Sequence, residues 1–190
     1  MRTEERSRRR SAAIRAAVPR IGTAGWSIGR QYAGEFPSSG SHLERYAQRC
    51  DAVEINSSFH RPHRRATYER WAASVPTNFV FAVKAPRDIT HDRRLAGAGA
   101  ALDAFLAQAT GLGGKLGPLL FQLPPSLAFD ARSAGTFFKI LRRRHAGSVV
   151  CEPRHASWFT PRAEDLLLKH RIARVAADPV KVPQAADPGG

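Results

Sequence analysis

Short apolar segments alternate with longer amphipathic segments along this chain, and this alternation restricts the fold more than any other feature of the sequence. The predicted strands cover residues 21–25, 52–56, 79–84, 118–123, 148–152 and 172–177. The predicted helices cover residues 41–49, 66–74, 100–110, 131–144 and 161–170. Because a helix separates successive strands, we expect the strands to run parallel in one sheet.

The spacing of the strands favours a barrel over an open sheet. They begin about 30 residues apart, which is the length of one βα unit in a TIM barrel of eight units. A doubly wound sheet would explain the alternation as well, but neither the glycines at 22–25 nor those at 97–99 complete a GxGxxG nucleotide fingerprint. We therefore predict an α/β, TIM-barrel-like (β/α) fold that is incomplete, with about six parallel βα units.

The charge of the chain is strongly positive. Its 190 residues contain 30 Lys and Arg against 16 Asp and Glu, a formal net charge of +14 at pH 7, and 43% of the residues are hydrophobic. That hydrophobic content is typical of a folded protein and excludes disorder throughout. We predict a mobile basic arm at residues 1–20, a barrel domain at 21–178 and a disordered tail at 179–190. A polyanionic partner and a bias of genomic base composition both explain the excess of arginine.

The cysteines and the hydropathy exclude other classes of protein. Cys50 and Cys151 lie about a hundred residues apart, outside any CxxC or Cys/His spacing, and predict neither a disulfide framework nor a zinc site. No segment approaches the roughly 18–20 apolar residues that a membrane span requires, and the arginine-rich start lacks the apolar stretch of a secretory signal. We predict a cytoplasmic protein that does not bind membranes.

Five successive predicted strands end in a polar residue. Side chains alternate along a strand, so Glu54 and Asn56 share one face while Val53 and Ile55 share the other. The later strands end in Lys84, Gln122, Glu152 and Asp178. Ligand sites of parallel α/β folds lie at the carboxyl ends of the strands, so these residues predict a site there. A pair between Glu54 and Lys84 on neighbouring strands would preorganise that site.

The loops after these strands contain further residues suited to binding and proton transfer. They are Trp26, Arg61, Thr90, His91, Arg154, His155 and Trp158. Arginine recognises phosphate or carboxylate through two parallel hydrogen bonds, and histidine exchanges protons near neutral pH. Taken singly, each of these residues is more often structural, so the prediction depends on their occurring together.

No cofactor is predicted, although a metal site stays an alternative. Its ligands would be Glu54, His91, Glu152 and Asp178. No two of them lie at a diagnostic ligand spacing, and the charge of Lys84 would repel the cation.

Five ordered motifs resemble those of one family, the YecE-like proteins or domain of unknown function 72. The motifs are IGTAGWS at 21–27, YAQRCDAVEINSSFHR at 46–61, FVFAVKAPRDITHDRRL at 79–95, LGPLLFQLPPS at 116–126 and CEPRHASWF at 151–159. The resemblance implies a TIM-barrel-like fold but no reaction. It also implies these motif positions: Glu54, Asn56, Lys84, Thr90, His91, Gln122, Glu152, Arg154, Trp158 and Asp178.

The chain departs from the family pattern in two places. Pro153 stands where the family usually has an aromatic or aliphatic residue, which would distort the end of that strand. The Arg-x-His-Gly and Asn-rich segments that follow the sixth strand in the family are missing, so the resemblance implies that two βα units are absent. An open sheet edge would then need a partner chain to cover it.

The leading hypothesis for function is a hydrolase that acts on an anionic substrate, either a phosphoester or a nucleic acid. Arg154, Arg61 and Lys84 would hold the anion, Glu54 or Glu152 would act as general base, and His91 or His155 as general acid. Glycoside cleavage by the two carboxylates and Schiff-base chemistry at Lys84 stay open. The other hypotheses are a noncatalytic nucleic-acid-binding protein, using the basic arm and the arginines at 142–144, and an inactive truncated family member.

Overall fold

A single parallel sheet organises the protein, whose computed structural model describes residues 19–180 and 182–189. Its strands are β1 (Ala52–Ile55), β2 (Val80–Lys84), β3 (Leu116–Gln122), β4 (Val149–Glu152) and β5 (Ala173–Arg174). They lie side by side in the order of the sequence, as in a barrel, whereas a doubly wound sheet changes direction. The described strands do not close on themselves, so the incomplete TIM-barrel-like fold is confirmed.

Five α-helices in the described part of the chain connect or flank these strands. They are α1 (His42–Tyr46), α2 (Arg65–Ala73), α3 (Gly99–Ala109), α4 (Ala131–Arg144) and α5 (Pro161–Lys169). The other helical turns are Arg30–Glu35, Ser57–Phe59, Asp88–Asp92, Thr110–Lys115, Ala156–Trp158 and Pro183–Ala186. The Ser41 side chain accepts a hydrogen bond from the Glu44 amide, while the Glu44 side chain accepts one from the Ser41 amide, so a capping box starts α1.

The first predicted strand is reduced to a single bridge. Ala24 pairs with Glu54 in parallel, through hydrogen bonds from the Glu54 amide to Thr23 and from the Gly25 amide back to Glu54. The prediction of a strand over 21–25 is therefore wrong in extent. Gly25 has a φ of 80°, a left-handed backbone conformation that ends the extended segment immediately after the bridge.

The hydrophobic core lies between the sheet and the helices. Val53, Ile55, Phe81 and Val83 are buried on one face of β1 and β2, as the predicted alternation requires. Phe121 of β3 extends this layer and packs edge-to-face against the helix residues Phe105 and Phe137. Each fully buried apolar side chain in this layer contributes about 1.5–3 kcal/mol. Because side chains alternate along a strand, Glu54 and Lys84 lie on the opposite face of the sheet.

Residues 182–189 cover the free edge of β5, in a region where the sequence predicts a disordered tail. Gly189 forms an antiparallel bridge with Arg174. The Ala177 amide donates to the carbonyl oxygen of Ala185, which is a buried residue. The Arg174 guanidinium donates to the carbonyls of Gln184 and Asp187. These contacts satisfy backbone groups that an open edge would expose. Residues 1–18 of the predicted basic arm lie outside the described residues.

Candidate active site

Glu152 is the most constrained polar residue at the strand ends. It is only 9% exposed and stands directly opposite Gln122 in the pairing of β3 with β4. The Gln122 amide donates to both carboxylate oxygens, at 3.0 and 2.9 Å. The Arg154 guanidinium donates from Nε to Oε1 at 2.8 Å, and its Nη2 lies 2.8 Å from the same oxygen in an ion pair. Glu152 therefore has a fixed orientation, and its charge is balanced by an arginine, as a buried carboxylate requires.

Lys84 is placed next to an aromatic ring rather than in an ion pair. Its Nζ lies 4.7 Å from the centroid of the Phe59 ring, and His91 packs edge-to-face on that ring at 4.9 Å. Glu54 and Lys84, both described residues, do not form the direct ion pair that the sequence suggests. The register explains this, because Glu54 is opposite Ala82, two positions before Lys84. A cation over an aromatic face stays available to bind an anion.

The Glu54 carboxyl lies in a half-buried environment at the end of β1. Burial raises its pKa above the usual value of 4.5, and the positive charge of Lys84 partly opposes this increase. The negative charge of Glu152 raises the pKa further. The charges of Lys84 and Glu152 thus both act on Glu54, and its carboxyl holds a proton more tightly than an exposed glutamate does.

The pKa of His91 is shifted in the opposite direction from that of Glu54. Burial lowers its pKa below 6.5, and the nearby positive charges of Arg87, Lys84 and Arg154 lower it further, while Asp92 opposes them. Its Nδ1 lies 2.8 Å from the hydroxyl of the buried Thr90. The lowered pKa favours the neutral imidazole, which suits a proton acceptor better than the predicted general acid.

We call Glu54, Lys84, His91, Gln122, Glu152 and Arg154 the strand-end site. Six of the predicted site residues are thus connected by contacts or by mutual charge effects at one edge of the sheet. Asn56 and Thr90 adjoin them, and the Oδ1 atom of Asn56 is buried without a hydrogen-bond partner among the described residues. A buried acceptor of this kind is available to a ligand donor.

The aromatic residues predicted to bind substrate pack against other aromatic rings. Trp158 is 1% exposed, donates from Nε1 to the Leu127 carbonyl at 2.9 Å and packs against Phe129. Trp26 packs edge-to-face on Trp71 of α2, with ring centroids 5.0 Å apart. Burial of these large rings stabilises the fold, and a substrate-binding role for either residue stays a prediction.

Three other polar residues of the predicted site make no hydrogen bond or ion pair with the strand-end site among the described residues, and their roles stay predictions. His155 caps the turn Ala156–Trp158, where its Nδ1 accepts from the Ser157 amide at 3.2 Å. Arg61 is exposed in the loop after β1, where its charge acts on His63. Asp178 is exposed beyond the end of β5 and makes no ion pair or hydrogen bond with another described residue. Because β5 ends at Arg174, the chain has left the sheet before it reaches Asp178.

Two features of this region had no sequence signal. Phe59 supports both Lys84 and His91, although a single aromatic residue in a loop does not reveal which side chains it will contact. The Ser57 hydroxyl lies 2.8 Å from Nε2 of His63, a pairing within one loop that follows no helical or strand periodicity. Such contacts depend on loop conformation, which residue spacing does not determine.

The described residues contain neither a metal-binding cluster nor a membrane-spanning helix. Across residues 19–180 and 182–189, no group of three His, Cys, Asp or Glu side chains is arranged to hold a metal ion. Glu54, His91, Glu152 and Asp178 therefore do not form such a group in the described part of the chain. No helix in the same ranges is long and apolar enough to cross a membrane.

The fold defines a parallel β/α protein of the TIM-barrel type, with a candidate site at the carboxyl edge of its sheet. The family model described as protein of unknown function DUF72 matches residues 20–189, and the chain belongs to this family. It is 28% identical over 149 residues to the UPF0759 protein YunF of Bacillus subtilis (strain 168), covering 74% of this chain and 52% of YunF. The chain thus spans about half the length of that relative.

Solved structures of the family share the fold. A DUF72 family protein from Enterococcus faecalis V583 superposes with a TM-score of 0.69 at 20% identity, covering 83% of this chain and 60% of that one. A DUF72 family protein from Thermotoga maritima MSB8 gives a TM-score of 0.67 at 24% identity, covering 84% and 64%. At these identities the likeness concerns the fold alone.

Proposed function

We propose that the strand-end site binds an anionic ester and hydrolyses it, with phosphoesters as the substrate class. The observation that carries the proposal is the convergence of two cations, Lys84 and Arg154, with two desolvated proton-transfer groups, Glu54 and His91. Lys84 influences the pKa of both groups, so it lies near both of them. An anion held at Lys84 would therefore be close to a proton donor and a proton acceptor.

The pKa directions assign the two proton-transfer roles. Neutral His91 accepts a proton from the attacking water as its oxygen bonds to phosphorus. Glu54, which retains its proton to a higher pH than an exposed glutamate, donates to the leaving oxygen as the ester bond breaks. His91 then returns its extra proton to Glu54 through solvent, which restores both groups. Lys84 and Arg154 stabilise the charge that accumulates on the phosphoryl oxygens.

Glu152 has a positioning role in this scheme. Its two oxygens are already occupied by Gln122 and Arg154, so it is a poorer general base than the sequence suggests. By holding Arg154 at 2.8 Å, it aims the guanidinium toward the space shared with Lys84 and His91. Fixing a cation before substrate arrives removes part of the entropic cost of binding.

The test combines turnover of p-nitrophenyl phosphate and bis(p-nitrophenyl) phosphate with calorimetric binding of inorganic phosphate. We expect His91→Asn and Glu54→Gln to lower kcat by about 100-fold or more, as loss of a general acid or base does. Lys84→Met should instead weaken phosphate binding. The matched controls are the exposed His42→Asn and Glu35→Gln, which should retain full activity.

The pH profile separates this mechanism from others. Activity should rise through the pKa of His91, below 6.5, and fall through that of Glu54, above 4.5, with a maximum in mildly acidic solution. Wild-type protein that turns over neither ester, or variants that match the controls, would contradict the proposal. Borohydride trapping of a carbonyl substrate on Lys84 would replace it with Schiff-base chemistry.

A further inference from the structure

A second feature of the molecule is a basic groove on its outer surface, between α4 and α5. The groove has a volume of about 640 Å³. Its lining residues are Ala131, Arg132, Gly135, Thr136, Lys139, Arg162, Asp165, Leu166, Lys169 and His170. None of these belongs to the strand-end site, so the groove needs an explanation of its own.

Four cationic side chains line this groove, and the charge of Asp130 acts on one of them, Arg132. Arg132, Lys139, Arg162 and Lys169 make no side-chain hydrogen bond or ion pair with other described residues, and Asp165 is the one acidic residue among those lining the groove. The effect extends to His170, whose pKa is lowered first by burial and then by Lys169, Arg142 and Lys139. The groove therefore presents net positive charge to solvent.

The cations form two matched rows. Arg132 and Lys139 are seven residues apart on α4, and Arg162 and Lys169 are seven apart on α5. Seven residues of α-helix rise about 10.5 Å, which corresponds to about three nucleotides of a B-form strand at 3.4 Å each. Because both helices follow parallel strands, they run in the same direction and place an arginine pair at one level and a lysine pair at the other.

The helices α4 and α5 approach each other closely at Gly135, where a Cβ atom would lie 3.5 Å from Cδ1 of Leu166, another residue that lines the groove. No Trp, Tyr or Phe lines the groove on which a base could stack. The surface is thus suited to phosphates rather than to bases.

The predicted basic run at 142–144 does not supply this surface. Arg142 donates to the carbonyls of His145, Gly147, His170 and Arg171, and Arg144 pairs with Asp103 at 2.7 Å. These two side chains are occupied by structural contacts, whereas the four groove cations are not.

We propose that the groove between α4 and α5 binds the phosphate backbone of a nucleic acid, independently of base sequence. The backbone lies between the two cationic rows, with its phosphates near the arginine pair and the lysine pair. This binding does not depend on hydrolysis at the strand-end site.

The test measures fluorescence anisotropy of a labelled 20-base-pair oligonucleotide duplex between 50 and 200 mM salt, with the full-length chain. The groove variants are the double substitutions Lys139→Gln with Lys169→Gln, and Arg132→Gln with Arg162→Gln. The control is Arg30→Gln with Arg64→Gln, which removes the same charge from exposed positions outside the groove. All variants retain the arginines of residues 1–18, so their contribution is constant.

We expect each groove variant to bind roughly tenfold more weakly, with a salt slope lower by about 1.8, because each lost contact to B-form DNA accounts for about 0.9. The control should stay within about twofold of wild type. Equal weakening by control and groove variants, or no weakening by either, would overturn the proposal. The proposal would also fail if the groove substitutions weakened binding to phosphatidylserine vesicles but not binding to the oligonucleotide.

Discussion

Gln122 and Glu152 face each other across the pair β3 and β4, and the Gln122 amide nitrogen donates to both carboxylate oxygens, at 3.0 and 2.9 Å. The contact is possible because the parallel register puts the last residues of the two strands side by side. It leaves Oε1 as the oxygen that also meets Arg154. The orientation of the arginine thus depends on a neutral side chain from the neighbouring strand.

Substitution of Gln122 should therefore affect both stability and the arginine. Gln122→Ala leaves the buried Glu152 with Arg154 alone, and we expect a loss of about 1–3 kcal/mol in the free energy of unfolding, the usual cost of an unsatisfied buried acceptor. Urea denaturation measures this change. The control Gln48→Ala removes an exposed amide on the outer surface and should change stability by less than about 0.5 kcal/mol. If Gln122→Ala and Gln48→Ala changed the free energy of unfolding equally, the contact between Gln122 and Glu152 would not stabilise the fold.

Glu54→Gln should stabilise the protein at neutral pH. Because folding raises the pKa of this carboxyl above 4.5, the folded state binds its proton more tightly than the unfolded state. The wild type therefore loses stability as pH rises from 4.5 through the folded pKa, whereas a glutamine does not titrate. The melting temperature of the variant relative to wild type should increase over this pH range. A difference that is constant from pH 4 to 8 would show that Glu54 has an ordinary pKa.

Gly135→Ala should stabilise α4. A glycine inside a helix costs about 0.5–1 kcal/mol relative to alanine, and the new Cβ would meet Leu166 at an ordinary contact distance of 3.5 Å. Thermal unfolding should show the gain. Gly111→Ala is the contrasting variant, since its Cβ would lie 2.8 Å from the Arg65 carbonyl oxygen and should destabilise the protein. The opposite order of stability would mean that the helix contact at Gly135 is tighter than described.

Arg174 should control the order of the segment that covers β5. Its side chain is 10% exposed, pairs with Glu164, donates to the Gln184 and Asp187 carbonyls, and lies 5.0 Å from the Phe159 ring. Arg174→Lys preserves the charge but loses the planar fork that reaches several acceptors. We expect hydrogen exchange across 182–189 to accelerate at least tenfold, while amides of β3 keep their protection. Unchanged exchange in that segment would assign its order to backbone pairing alone.

Several elements of the fold could be predicted because they depend on local periodicity. The predicted limits of α4 at 131–144 match the structure, since its apolar residues repeat with the helical period and Asp130 caps its start. The faces of β1 and β2 were also predictable from alternation. The first strand was predicted too long, because an apolar segment does not show that Gly25 leaves the extended conformation.

The candidate site was predictable only in part. Residues that end strands, such as Glu54, Lys84 and Glu152, were placed together because parallel strands share one carboxyl edge. Trp158 and His155 follow the same strand in sequence, yet their loop turns one into the core and makes the other a cap. Loop geometry depends on contacts with distant residues, here Leu127 and Phe129, which spacing along the chain does not reveal.

The sequence by itself determined the parallel β/α class, the polar edge of the sheet and the family. Hydrophobic periodicity and the residue types at the strand ends are local properties that can be read from neighbouring positions. Only the tertiary structure decided which charges are paired. Arg142 became a structural donor, whereas Lys139 and Lys169 stayed free in a groove. The same structure lowered the pKa of His91 and raised that of Glu54 through burial. Desolvation and ion pairing are properties of atoms brought together in space, and they arise only when distant segments pack.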